Sequence, residues 1–168
     1  TLAMAVNGKP VYMRLAREAS PIISTLDTPF EIGKAYVYRE GVDVTIIAAG
    51  AMPYHALVSA DILRADGIEA EVIHCPTIKP LDGDTILTSV RKTGAVVTCE
   101  EAQITGGLGG AVAELLAENC PAHMKRIGVQ DKFGQSGTPE ELFEHYGLTS
   151  KHITMAVHEI VSKKKGQA

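Results

Sequence analysis

Apolar and polar residues alternate along this chain in blocks, and the blocks change period. "KAYVYRE" (34–40) alternates one by one, the period of a strand with one covered face. "EGVD" then turns the chain, and "VTIIAAG" (44–50) is apolar without interruption, as a strand buried on both faces requires. "PYHALVSADILRADG" (53–67) shifts to the helical period, with Ala56, Leu57, Ala60 and Leu63 on one stripe. Pro53 suits a first turn, and Gly67 stands just past the last one. The cycle recurs: strand "AEVIH" (70–74), a short helix around 82–91, strand "AVVTCE" (95–100), a helix at about 108–118 and strand "MKRIGV" (124–129). Successive apolar strands begin about 25 to 30 residues apart, the length of a strand–helix–strand unit. The pattern predicts an α/β fold of three layers, α/β/α, with a mostly parallel five-stranded sheet. The first strand reaches the second by a tight turn, which predicts an antiparallel pair at the sheet's edge.

Beyond the last strand the pattern is helical. In "SGTPEELFEHYG" (136–147), Thr138 can cap, Pro139 fits the first helical position and Glu141 completes a capping box. Gly147 ends that helix, and Thr149 can start a final one running to about 164. Residues 1–33 differ in character. "GKPVYMRLARE" (8–18) reads as one strand, and "ASPIISTLDTPFEIG" (19–33), with two prolines, reads as a linker. Two parts are therefore expected, 1–33 and 34–168.

Composition narrows the function classes. At 168 residues and 45% apolar, the chain can bury one sizeable core. A net charge of −4 argues against a nucleic-acid surface, and the "KKK" at 163–165 reads as a solvated tail. No apolar run is long enough to cross a bilayer. Cys75, Cys99 and Cys120 are odd in number and widely spaced, which fits reduced thiols in a cytoplasmic protein. The chain begins at Thr1 in mid-pattern, as a piece of something longer would.

Candidate chemistry centres on "EEAQITGGLGGAVAELLAE" (100–118), where four glycines fall between a strand and a helix. A dinucleotide fingerprint would need a third glycine where Val112 stands, and a Walker loop would need a lysine. Anion binding at the helix N-terminus competes with a purely conformational role for Gly106, Gly107, Gly109 and Gly110, and the second is the simpler reading. Glu100 and Glu101 leave a strand on opposite sides and so cannot share a proton or a metal; a solvated or interface role is expected. The six histidines form no metal pattern, with His145, His152 and His158 six or seven residues apart and His74 lacking identifiable co-ligands. Ser136 lacks the context of a nucleophile elbow. Arg14 and Arg17, three apart, would face opposite ways on a strand and so would not act as a pair; one could be an edge charge and the other an anion ligand, but solvated charges are the simpler reading.

These motifs together resemble a known family. "GKPVYMRLARE", "DVTIIAAGAMPYHALVSADILRADGIEAEVIHCPTIKPLD", "VVTCEEAQITGGLGGAVAELL" and "FGQSGTPEELFEHYGL" resemble, in order, the C-terminal portion of transketolases, over essentially the whole chain. The chain is similar to the C-terminal subunit of split transketolases. The same domain occurs in 1-deoxyxylulose-5-phosphate synthase and in the β subunit of 2-oxo acid dehydrogenases. The synthases tend to carry Tyr-Pro-Arg-Gly where this chain has "MRLAR", and the dehydrogenases are not expected to carry Arg17.

The resemblance implies that 1–33 close a pyrimidine-binding domain and that 34–168 form the transketolase C-terminal domain. It implies a parent enzyme of the pentose phosphate pathway that moves a two-carbon ketol unit between sugar phosphates, using thiamine diphosphate and Mg. It also implies the remaining domains or an N-terminal subunit, and a homodimer partner. Arg17 falls at the position that binds the substrate's phosphate. No catalytic, cofactor or metal residue is implied for this chain, so by itself it is expected to be inactive and to bind no thiamine diphosphate. The glycine-rich stretch is implied to serve the fold. A nucleotide-binding or dimerisation module is the alternative from another class.

Overall fold

The computed structural model describes residues 1–17 and 19–166. Among them, five strands form one sheet: β1 (Tyr36–Arg39), β2 (Val44–Ala48), β3 (Ala70–His74), β4 (Ala95–Gln103) and β5 (His123–Val129). Their order across the sheet is β1-β3-β2-β4-β5. β3, β2, β4 and β5 are parallel neighbours, and β1 runs antiparallel at the edge. The expected class is therefore observed.

One pairing differs from expectation: β1 lies against β3, with Tyr36 opposite His74, and not against β2. The connection after β1 is no hairpin. It crosses the start of β3, where the amides of Val42 and Asp43 both donate to the Glu69 carbonyl at 3.0 Å. A Cβ at Gly41 would fall on the backbone of Ala70 and Glu71, so the crossing needs glycine. The crossover from β2 then lays β3 into the space that a hairpin would have filled.

Helices cover both faces. α2 (Met52–Ala65) and α6 (Ser150–Lys165) pack on one, α3 (Gly83–Thr93) and α4 (Leu108–Asn119) on the other. β2 is buried along its whole length and feeds both cores. Val44, Ile46 and Ala48 join Leu63 and Val157 under α2 and α6, while Ile47 joins Ile86 and Val112 under α3 and α4. Between β2 and α3 the Thr45 hydroxyl lies 2.6 Å from that of Ser89 and 2.7 Å from that of Thr93, so this polar core position is satisfied. α5 (Pro139–His145) carries the expected capping box at Thr138 and Glu141.

Ahead of the sheet, α1 (Leu2–Val6) is a short exposed helix. The strand expected at 8–18 is not observed: positions 10–16 pair with no strand among the described residues. A strand is stable only beside another, and positions 10–16 are paired with neither edge of this sheet, β1 or β5. The chain is gripped again at 33–35 by the "TIKPLD" motif. Thr77 Oγ1 accepts the Gly33 amide at 2.9 Å, and Asp82 Oδ2 accepts the Ala35 amide at 2.9 Å.

Candidate functional site

In a parallel sheet the crossover connections reverse side at one point, and a crevice opens there at the carboxyl ends of the strands. Here that point lies between β2 and β4. The chain leaving β2 rises to α2 on one face, and the chain leaving β4 rises to α4 on the other. Two helix N-termini with unpaired amides thus converge on one edge, an arrangement suited to anions.

The anions are supplied by β4 itself. Glu100 is 2% exposed, and its two carboxylate oxygens accept the amides of Leu108 and Gly109, each at 2.8 Å. Burial pushes its carboxyl above the usual range; the two amides and Arg126 act against that rise, while the Glu101 charge adds to it. A Cβ on Gly107 would collide with this carboxylate. Glu100 therefore fills the space a phosphate would need, and the glycine-rich turn is a seat for a side chain. The expectation that Glu100 is solvated or at an interface fails for that reason, whereas the expected opposite aim of the two glutamates holds.

Glu101 turns to the other layer. Its Oε2 accepts the Ala51 amide at 3.2 Å, beside the N-terminus of α2, and its carboxylate occupies the space a Cβ on Gly50 would take. Its Oε1 accepts from Arg14 Nη2 at 2.5 Å. The N-terminal segment is thereby tied to the crest of the sheet. Arg17, three residues on, is exposed.

The remaining candidates stay apart. His74 Nδ1 lies 2.9 Å from the Tyr38 hydroxyl, and burial lowers its pKa. Cys75 and Cys99 are buried and unbridged, and Cys120 is half-buried and unbridged; burial pushes the Cys75 thiol up to about 12. No group of three or more His, Cys, Asp or Glu among the described residues could hold a metal ion. Nor do these residues fit a magnesium-bound diphosphate, because the amides that would receive one already hold Glu100. An open groove along β5 includes Lys125 and Arg126, but Lys125 is engaged by Glu159 at 2.8 Å and Arg126 donates to the Ile104 carbonyl at 3.1 Å. Among the described residues no helix is long and apolar enough to cross a membrane.

Sequence reasoning missed the Arg14–Glu101 pair, whose partners lie 87 positions apart. It also missed the grip of Thr77 and Asp82 on 33–35. A carboxylate in the last half of a strand, eight residues ahead of a helix start, was the visible sign of the Glu100 cap.

Comparison with known proteins places this geometry. Residues 33–153 match the family described as "Transketolase, C-terminal domain". The chain is 48% identical over 155 residues to the 6-deoxy-6-sulfo-D-fructose transketolase subunit SqwH of Clostridium sp. (strain MSTE9), covering 92% of this chain and 48% of that one. It is 38% identical to a 1-deoxy-D-xylulose-5-phosphate synthase of Heliobacterium modesticaldum, over 95% of this chain but 25% of the synthase. Among solved structures it is similar to "Split gene transketolase, inactive beta4 tetramer", with a TM-score of 0.84 and 44% identity, over 87% of this chain and 48% of that one. The chain thus spans about half the length of its transketolase relatives and much less of the synthase, and it belongs to the transketolase family as a C-terminal portion.

Proposed function

We propose that this chain is the C-terminal part of a thiamine diphosphate-dependent enzyme that transfers a two-carbon ketol unit between sugar phosphates. Residues 34–168 form its C-terminal domain, and 1–33 close the pyrimidine-binding domain. The cofactor, its Mg ion and the catalytic groups belong to the rest of the enzyme, an N-terminal subunit or further domains, assembled around a homodimer. The observation that carries this reading is the "VYMRLAR" run ending in exposed Arg17, within a chain whose fold and sequence follow those of a split-gene transketolase.

Arg17 is the residue to which the substrate's terminal phosphate is assigned. A guanidinium stays charged and donates two parallel hydrogen bonds to such an oxyanion. Holding a remote anion also orients the reacting carbon. In the complete enzyme, Arg17→Ala lowers kcat/KM for an anion-ended ketose by roughly ten- to a hundredfold, the equivalent of one charged hydrogen-bonding group, and spares an anion-free ketose. Equal losses for both would make Arg17 structural. In that case Glu18 or Glu31 would be its partner, and Glu18 lies outside the described residues.

A second reading concerns the anion. The SqwH relative acts on a sulfonated sugar by name, and at 48% identity it favours a donor ending in sulfonate. Both oxyanions present three oxygens to the same guanidinium. Side-by-side KM values for a ketose 6-phosphate and its 6-sulfonate decide between them.

A further inference from the structure

We propose that Glu101, which belongs to the C-terminal domain, is a positioning residue for the substrate's terminal anion and acts through Arg14 on Arg17. The inference rests on the assignment of Arg17 given above. Positions 10–16 form no strand ladder among the described residues, so hydrogen bonds to a sheet do not fix where this segment stands. The Arg14–Glu101 pair, at 2.5 Å, ties it to the sheet's crest. Three residues of chain reach at most about 11 Å, so fixing Arg14 confines the backbone of Arg17 to that radius.

Glu101 is a rigid anchor. Its carboxylate side chain is 17% exposed, wedged over Gly50 and hydrogen-bonded to the Ala51 amide at the start of α2, where the helix dipole favours a negative charge. The acceptor is thus ordered before Arg14 arrives. Arg14 keeps 48% of its side chain in solvent, and an ion pair so exposed adds little stability. Its use lies in position. A guanidinium displaced by about 1 Å from a bound anion loses much of what it contributes to productive binding.

The test uses the complete enzyme and two donors, one ending in a phosphate or sulfonate and one ketose without an anion. Glu101→Gln and Arg14→Met should each raise KM for the anion-ended donor about three- to tenfold, with kcat changed less than about twofold and the anion-free donor unaffected. The double variant should be no worse than either single one, and Glu101→Gln should add nothing in an Arg17→Ala background. Arg14→Lys, which keeps the charge, should recover part of the loss. Arg14 is half-exposed, so its variants remain informative should Glu101→Gln misfold. Unchanged KM in the Arg14 variants, equal losses for both donors, or a Glu101→Gln effect that persists without Arg17 would overturn the positioning role while leaving the Arg17 assignment intact. An Arg17→Ala enzyme that treats both donors alike would overturn both.

Discussion

A single methyl group distinguishes the four glycines before and within α4. Gly106 holds φ at +81°, and a side chain there is strained by about 1 kcal/mol. At Gly107 a methyl meets the Glu100 carboxylate, and at Gly109 it meets Thr98 Oγ1 and Arg126 Cδ, both at 2.9 Å. Nothing lies within 4 Å at Gly110. Gly107→Ala should therefore cost about 2 kcal/mol or more, by prising Glu100 from two amides, while Gly110→Ala should gain about 0.5–1 kcal/mol as a helix substitution. Thermal melting of the two variants, without any ligand, reads the difference directly. The sequence displays four equivalent letters here. Which of them matters depends on a side chain packed from the preceding strand, and local composition carries no trace of that.

At the scale of elements, period and capping chemistry were legible because they are local. The α3 start is the informative case. Asp82 is buried, accepts the Thr85 amide at 3.2 Å as the helix cap, and also receives the Ala35 amide. Burial alone would raise its carboxyl, but the Ala35 and Thr85 amides, the Thr85 hydroxyl and the Lys34 charge outweigh it, and its pKa lies below the ordinary value. A lowered carboxyl stabilises the fold above its unfolded value, near 3.9, and that contribution is lost as pH falls through the folded value. Asp82→Asn should lower stability by about 1–2 kcal/mol at neutral pH, and the gap to the parent chain should close below about pH 4. Denaturant titrations of both proteins at several pH values check this; a gap that widens in acid would contradict it. The neighbour of β1 was not legible, since the strand's alternation is the same whether it pairs with β2 or β3. The decision falls to the crossing at Gly41, a contact between backbones.

For the whole molecule, the two cores lie within the sheet and its helices, and the first thirty residues stand largely outside them. Leu2, Tyr12, Ile22 and Leu26 are each more than 80% exposed. A chain beginning at residue 31 keeps the grip on 33–35 and loses the exposed Arg14 pair and the cover that Thr28, Pro29 and Phe30 give to Tyr36 and His74. It should unfold cooperatively with a midpoint lowered by no more than about 3–4 °C, the equivalent of roughly 1 kcal/mol. A drop of several times that would make the leading segment part of the fold. Family membership was legible across the chain because motifs such as "TIKPLD" and "GGLGG" seat side chains and backbone that the fold cannot do without. What joins the segment to the domain was not, because an ion pair across so much sequence leaves no periodic signal. That pair also gives the crest of the sheet a mechanical character. Of two consecutive carboxylates on one strand, the first locks its own layer and the second keeps one oxygen turned outward as a socket. An arginine plugged into such a socket sets the register of a connecting segment without needing an extensive interface.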